Sequence, residues 1–163
     1  MVDQNIKILY NLSMNEIWKP IAPIIKNGGR VFTPYAYEVS NFGRVRTKRQ
    51  RYGRPRKDLG NRRGFVKDYF YLTWRKDPAG YMQLCLYDEN KQRSNVRIHV
   101  AVMHTFVGYP NKGQVICHYD DIKTNNQLTN LRYDTQKANV QDRIRNQKAL
   151  ISWHTKICNV IIP

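Results

Sequence analysis

Within "VICHYDDIKTNNQLTNLRYDTQKANV", residues 115–140, a histidine is followed by side-chain amides at set intervals. His118 closes a short apolar run with Cys117 beside it. Asn125 and Asn126 follow in a polar segment, Asn130 lies twelve residues after the histidine, and Asn139 nine further on. Histidine gains and loses a proton near neutral pH, so general acid–base chemistry is what this residue type offers. Alone, His118 reads as a partly buried histidine with satisfied hydrogen bonds; the amides spaced after it make it a site candidate. Asparagine is a poor helix and strand former, so its recurrence here asks for a reason. For Asn125 and Asn126 the local reading is loop shaping through side-chain hydrogen bonds.

These residues need elements to carry them. "QVICH" predicts a strand ending at His118, "YDDIKTNNQLT" a loop, and Asn130-Leu131-Arg132-Tyr133 a short second strand. Thr135 is a good N-cap for a helix running into the 140s, with "RIRNQK" giving it a basic face. The result is a ββα unit. Upstream, Met82, Leu84 and Leu86 alternate with Tyr81, Gln83, Cys85 and Tyr87, which predicts a strand. A polar turn at 88–91 leads to a second strand through Val96 and Ile98. Ile98, Val102 and Phe106 then recur at helical spacing, before Gly108-Tyr109-Pro110 stops the helix. "YEVSNFGRVRT" predicts a hairpin turning at Asn41-Phe42-Gly43. "EIWKPIAPII", with two prolines, predicts an edge strand or extended segment. Residues 1–15 read as an arm or short helix, and the apolar tail from 149 as packing back on the core. Trp18 and Trp74 read as core residues, His104 and His154 as surface residues.

The 163 residues are 41% hydrophobic and 12% aromatic, enough for one folded domain with a real core. No run of eighteen apolar residues is present, so no membrane partner is expected. The N-terminus lacks the pattern of a signal peptide. Cys85, Cys117 and Cys158 stand far apart with no paired spacing, which suits a reducing compartment; the expected location is the cytoplasm of a bacterial or phage-infected cell. Lys plus Arg number 28 against 12 acids, a net charge of +16, which a polyanionic partner explains best. Between Arg44 and Arg63 stand ten cations (Arg44, Arg46, Lys48, Arg49, Arg51, Arg54, Arg56, Lys57, Arg62 and Arg63) and one acid, Asp58. Tyr52, Gly53 and Pro55 interleave with them, as suits a segment tracking a phosphate backbone. The alternative is a solvated basic loop.

The pattern His118, Asn125-Asn126, Asn130-Leu131-Arg132 and Asn139 resembles the HNH nucleases, in the form of the phage intron-encoded homing endonucleases. "WKPI…YEVSNFGRVR" is similar to the DNA-binding module that often precedes this core, and "RIHVAVMHTFVG" to the segment between them. The resemblance spans roughly residues 16–142, in the family's order. It implies His118 as general base, Asn130 orienting its ring from the facing strand, and Asn139 holding one divalent ion, Mg²⁺ or Mn²⁺. It also implies DNA contact by the basic residues above together with Arg132. Family enzymes of this kind carry a metal-binding aspartate where Cys117 stands; a thiol suits a hard ion poorly, so Cys117 is a weak ligand, a structural residue or a mark of reduced activity. His99 matches a family histidine, with a capping or phosphate-contact role expected.

The expected architecture is α+β: an N-terminal antiparallel β-rich DNA-binding module with its basic loop (1–75), a ββα-metal nuclease core (76–150) and a tail (151–163). The expected function is metal-dependent hydrolysis of double-stranded DNA to 5′-phosphate and 3′-hydroxyl ends. A catalytically weak or silent DNA-binding protein keeping the scaffold is the alternative. No obligate protein partner is evident. The residues after 150 leave no room for the helix-turn-helix that often follows, so site preference is expected to rest on the N-terminal module and basic loop.

Overall fold

The computed structural model describes residues 15–26, 28–47 and 69–161, with side chains as far as 148. The readings of residues 1–14, of the basic stretch from 48 to 68 and of the tail side chains lie outside these described residues.

The N-terminal part is built on short antiparallel strands: β1 (Trp18–Pro20), β2 (Ile24–Ile25), β3 (Val31–Phe32), β4 (Tyr37–Ser40), β5 (Val45–Thr47) and β6 (Phe70–Tyr71). One sheet runs β1-β4-β5-β6, and β2 pairs with β3. As the two prolines predicted, β1 is an edge strand, the position where a missing backbone N–H is tolerated. The β4–β5 hairpin turns as expected: Gly43 N–H donates to Ser40 O at 3.0 Å, and Gly43 takes φ +76°. That left-handed residue matches the twist of the hairpin and favours glycine. Thr47, which precedes the basic stretch in sequence, pairs with Phe70, which follows it.

Next come β7 (Arg75–Lys76), β8 (Met82–Tyr87) and β9 (Arg93–Arg97), an antiparallel sheet in that order. In β8, Met82, Leu84 and Leu86 are buried and alternate with more exposed neighbours, the period-two pattern of a strand with one covered face. Helix α1 (Ile98–Phe106) begins directly after β9 and is buried along most of its length, with Ile98, Ala101, Val102 and Met103 at 2% exposure or less. It touches β1, β2, β4, β8 and β9 as well as β10 (Gln114–His118) and β11 (Leu131–Thr135), which explains its apolar surround. Ile21, Ile24, Phe32, Val39 and Val45 share one core cluster with Leu84, Leu86, Val96, Val102 and Leu131, so apolar packing is continuous across residues 75 and 76.

The chain closes with the expected ββα unit. β10 and β11 pair antiparallel from Gln114↔Thr135 to His118↔Leu131, and helix α2 (Gln136–Ile161) follows at once. Ala138 N–H donates to Thr135 Oγ1 at 3.2 Å, the predicted cap. No helix among the described residues is long and apolar enough to cross a membrane. Trp18 and Trp74 lie outside the core cluster, and Trp74 is 44% exposed, contrary to the core reading. His104 is buried rather than superficial, its Nδ1 3.4 Å from Pro23 O.

Candidate active site

His118 ends β10, where the strand delivers its side chain into a pocket also lined by Ile116, Tyr81, Asp121, Lys123, Asn139 and Arg143. Helix α2 contributes Gln136, Asn139, Val140 and Arg143, a stripe at helical spacing along one face. His118 and Asn139 thus line the same pocket. The loop after β10 turns back sharply: Asp121 N–H donates to His118 O at 3.2 Å, and Asp121 takes φ +58°. Aspartate enters that region more readily than most residues. The turn brings Asp121 into the lining of the same pocket. Asp121 was not among the expected ligands, because its place in the pocket depends on this turn rather than on the residue pattern.

The partner of the histidine ring is Asn126. His118 Nε2 lies 3.3 Å from Asn126 Oδ1 inside the protein, both residues being buried. The amide's orientation is set from its other end, since Asn126 Nδ2 donates to Thr124 O at 3.3 Å and to Met82 Sδ at 3.1 Å. With Oδ1 facing the ring, Nε2 carries the hydrogen and Nδ1 keeps its lone pair. Burial holds the His118 pKa below its ordinary value, against the opposing pull of the Asn126 bond and of Asp120 and Asp121. The ring is therefore neutral at pH 7 and has a basic nitrogen to offer.

Asn130 has a different place from the one the resemblance implied. Its Nδ2 donates to Asp120 Oδ1 at 2.8 Å and to Asn125 O at 2.9 Å, and its Oδ1 accepts from Asp120 N–H at 3.3 Å. Asn130 thus staples the loop that carries Asn126, instead of touching the ring itself. Asn125 joins the staple, donating to Asp120 Oδ2 at 2.6 Å. Burial alone would raise the Asp120 pKa, but these donors outweigh it and hold the carboxyl below its usual range. The pair at 125–126 was legible as a loop-shaping element; that one member reaches the histidine was not.

Cys117 corrects a second expectation. β10 keeps regular register through its last residue, with Cys117 opposite Arg132 and His118 opposite Leu131. Ile116 and His118 line the pocket while Cys117, between them, does not. Consecutive strand residues point to opposite faces, and no bulge relieves that here. Cys117 is 1% exposed, and burial raises its thiol pKa, so it is a neutral packed thiol and not a ligand facing the pocket.

Arg132 is engaged internally. Its Nε donates to Asp134 Oδ2 at 3.0 Å, its Nη2 pairs with Asp142 on α2, and its guanidinium stacks 4.2 Å from the Tyr119 ring centre. Asp142 also binds Arg145 at 2.8 Å. Arg132 therefore clamps α2 to the ribbon rather than offering a free charge to DNA. Arg44 and Arg46 are likewise committed: Arg44 Nε donates to Glu16 Oε1 at 2.6 Å and Arg46 Nε to Glu38 Oε2 at 2.7 Å. Arg46 is also sandwiched between Trp18 and Tyr69, 4.0 and 3.7 Å from their ring centres. Lys48, Arg49, Arg51, Arg54, Arg56, Lys57, Arg62 and Arg63 lie outside the described residues.

His99 is no phosphate contact. It sits in the first turn of α1, 5% exposed, with its ring 5.3 Å from His118 and 4.8 Å from Tyr81. Burial, then the neighbouring His118, pushes its pKa down to about 3, so it packs beside the site as a neutral ring.

Known proteins share this organisation. Residues 16–87 match the NUMOD4 motif and residues 90–141 match the HNH endonuclease family. An uncharacterized HNH endonuclease of Acanthamoeba polyphaga mimivirus is 32% identical over 77 residues, 47% of this chain. The match takes in only 23% of that relative's length. The solved structure of DNA binding and cleavage by the HNH homing endonuclease I-HmuI matches at a TM-score of 0.53 and 26% identity, over 88% of this chain and 68% of that one. The resemblance to the HNH homing endonucleases, behind their N-terminal module, is thereby shown in sequence and in fold.

Proposed function

We propose that this chain, which carries an HNH endonuclease segment behind a NUMOD4 motif, is a metal-dependent DNA endonuclease with His118 as its general base. The observation that carries the reading is that His118, whose Nε2 is committed to Asn126, lines one pocket together with Asn139 and Asp121, residue types that carry oxygen donors.

The donor set fits a hard divalent ion. Mg²⁺ takes oxygen ligands, often one or two from protein with water and substrate phosphate completing the shell. Asn139 and Asp121 are the residues that would hold it, whereas Cys117 faces away. When bound, such an ion neutralises charge on the phosphate and on the departing 3′ oxygen.

The protein's own residues do the rest. His118 Nδ1 removes a proton from a water molecule as its oxygen attacks phosphorus in line. The P–O3′ bond breaks with its electron pair on O3′, which then takes a proton from solvent. The ends are a 5′-phosphate and a 3′-hydroxyl. Lys123 and Arg143 line the pocket and supply positive charge for the phosphate. The +16 chain supplies long-range attraction to double-stranded DNA, with the basic stretch at 48–63 as its densest source. The free thiols Cys85 and Cys117 suit the reducing cytoplasm of a bacterial or phage-infected cell.

The direct test is incubation of supercoiled plasmid with the protein and Mg²⁺, Mn²⁺ or EDTA, beside His118→Ala. Nicked or linear DNA is expected with metal and none with EDTA. His118→Ala should cut about 10²–10⁴-fold more slowly while binding DNA as before. Binding without cutting in every metal would make the chain a DNA-binding protein on a silent scaffold.

A further inference from the structure

We propose that the Ser40–Gly43 turn of the N-terminal sheet is a positioning element for His118, acting through Asn126. The inference rests on His118 being the base, and it extends the site into a part of the chain distant in sequence.

The turn meets the loop of Asn126 at two points. Gly43 packs against Asn126 so closely that a Cβ at position 43 would stand 2.9 Å from both Asn126 Cβ and Asn126 O. Two residues on, Leu128 N–H donates to Asn41 O at 2.7 Å. Asn41 is itself anchored, since its Oδ1 accepts from Ile17 N–H at 2.7 Å and its Nδ2 donates to Asn15 O at 3.0 Å. Asn126 is 3% exposed, so it has little freedom to move aside. From the other flank, the Asn130 and Asn125 bonds to Asp120 hold the same loop.

Asn126 is thus gripped between the two halves of the chain, and its Oδ1 is what reaches His118 Nε2 at 3.3 Å. Packed interiors transmit such contacts because they compress little. A side chain at 43 must push the Asn126 main chain outward and draw the amide from the ring. The histidine then loses the acceptor that selects its Nε2–H form, and the form with its hydrogen on Nδ1, useless as a base there, becomes populated. The N-terminal sheet is therefore a working part of the site. Its β4–β5 hairpin meets the loop of Asn126 and runs on in sequence into the basic stretch expected on DNA.

The experiment compares wild type, Gly43→Ala, Gly29→Ala and Asn126→Ala. Gly29 has φ +77°, against +76° at Gly43, but has nothing within 4 Å of an added Cβ. Both alanines bear the same backbone strain, and only one presses on Asn126. Two readouts are taken: the His118 tautomer from ¹⁵N-histidine NMR at neutral pH, which needs no activity, and plasmid cleavage alongside DNA affinity. We expect Nε2–H His118 in wild type and Gly29→Ala. Gly43→Ala and Asn126→Ala should shift the tautomer and cut about 10²-fold more slowly, the scale of a misplaced catalytic group, with affinity unchanged. Gly43→Asn, which enters left-handed backbone at lower cost yet carries the same Cβ, serves if the alanine does not fold. Wild-type tautomer and rate in a folded position-43 variant would overturn the proposal, as would an unchanged tautomer in Asn126→Ala. A wild type that cuts no DNA while the tautomer still follows position 43 removes the nuclease reading and leaves this contact standing.

Discussion

Cys117 and His118, neighbours at the end of β10, face opposite sides of the β10–β11 ribbon: His118 lines the pocket that Asn139 shares, while Cys117 is buried opposite Arg132. A ligand at position 117 would need a bend that the register does not contain. We predict that Cys117→Ala cleaves with the wild-type dependence on Mg²⁺ and Mn²⁺. Cys117→Asp should bring no gain and should lower stability, because burial of a carboxylate at this site, with Asp134 and Asp142 near, outweighs the attraction of Arg132. Metal titrations of cleavage, with urea unfolding of each protein, check both statements. A clear gain in Mg²⁺ for the aspartate would show that position 117 does reach the ion.

The pH dependence of cleavage follows from the same histidine. His118 serves as base only when neutral, and burial lowers its pKa from the ordinary 6.5. Activity should therefore persist below pH 6.5 and fall only as the pH drops through that lowered value. Asn126→Asp sets an anion against the ring, favours the imidazolium, and should move the acid limb to higher pH. Rate–pH profiles of the two proteins measure the shift; a limb that stays in place would remove Asn126 from contact with the base.

Stability should depend on acid through His99. Its pKa is about 3 in the fold against 6.5 for an ordinary histidine. Between those values the unfolded chain binds the proton and the native state does not, so stability is fully present above pH 6.5 and declines as the pH falls towards 3. The lowered pKa values of His104 and His118 act with the same sign. His99→Phe, which keeps a ring but cannot titrate, should flatten the fall in urea midpoint between pH 7 and 5. An equally steep fall in the variant would assign the acid sensitivity elsewhere.

The Arg132–Asp142 pair is mostly buried, with side chains 18% and 10% exposed. Breaking a buried pair leaves the surviving charge uncompensated, at a cost of about 3–5 kcal/mol. Asp134 still reaches Arg132, so Asp142→Asn is predicted to fall at the lower end of that range in urea unfolding. The salt dependence of DNA binding should not change, since this arginine is spent within the protein. A flattened salt slope in an Arg132→Leu protein would return the residue to the DNA surface.

The charge on the described sheet face and the charge in the basic stretch should behave differently. Removing one cation that neutralises a DNA phosphate flattens the slope of log K against log salt by about 0.9. Replacing Arg49, Arg51, Arg54 and Arg56 by alanine is predicted to flatten it by roughly three to four units on that rule. Replacing Arg44 and Arg46, already paired with Glu16 and Glu38, should change the slope less. Titrations at several salt concentrations decide it, and equal effects from both sets would show that the acid partners yield to DNA.

Much of the scaffold was legible because its causes are local. Alternation in β8, the proline-bearing edge strand, the glycine at the Asn41–Gly43 turn and the Thr135 cap each depend on residues a few positions apart. The ββα order was legible for the same reason, and with it the placement of His118 and Asn139 on elements that must meet. Similarity in sequence carried the rest of that reading, from the N-terminal module to the nuclease segment.

What the residue order could not decide is which partner each polar side chain takes. Asn130 and Asn126 are the same residue type four positions apart, yet one staples the loop and the other reaches the histidine. Arg44, Arg46 and Arg132 carry the same charge as their neighbours, but Glu16 ahead of β1, Glu38 on β4 and Asp142 on α2 already hold them. Gly43 and Asn126 lie 83 residues apart and touch only because one apolar core draws both halves of the chain together. Strand alternation and capping are short-range effects that nearby residues dictate. Hydrogen-bond and ion-pair partners are chosen by close packing among distant segments, so they exist only once the tertiary structure has formed.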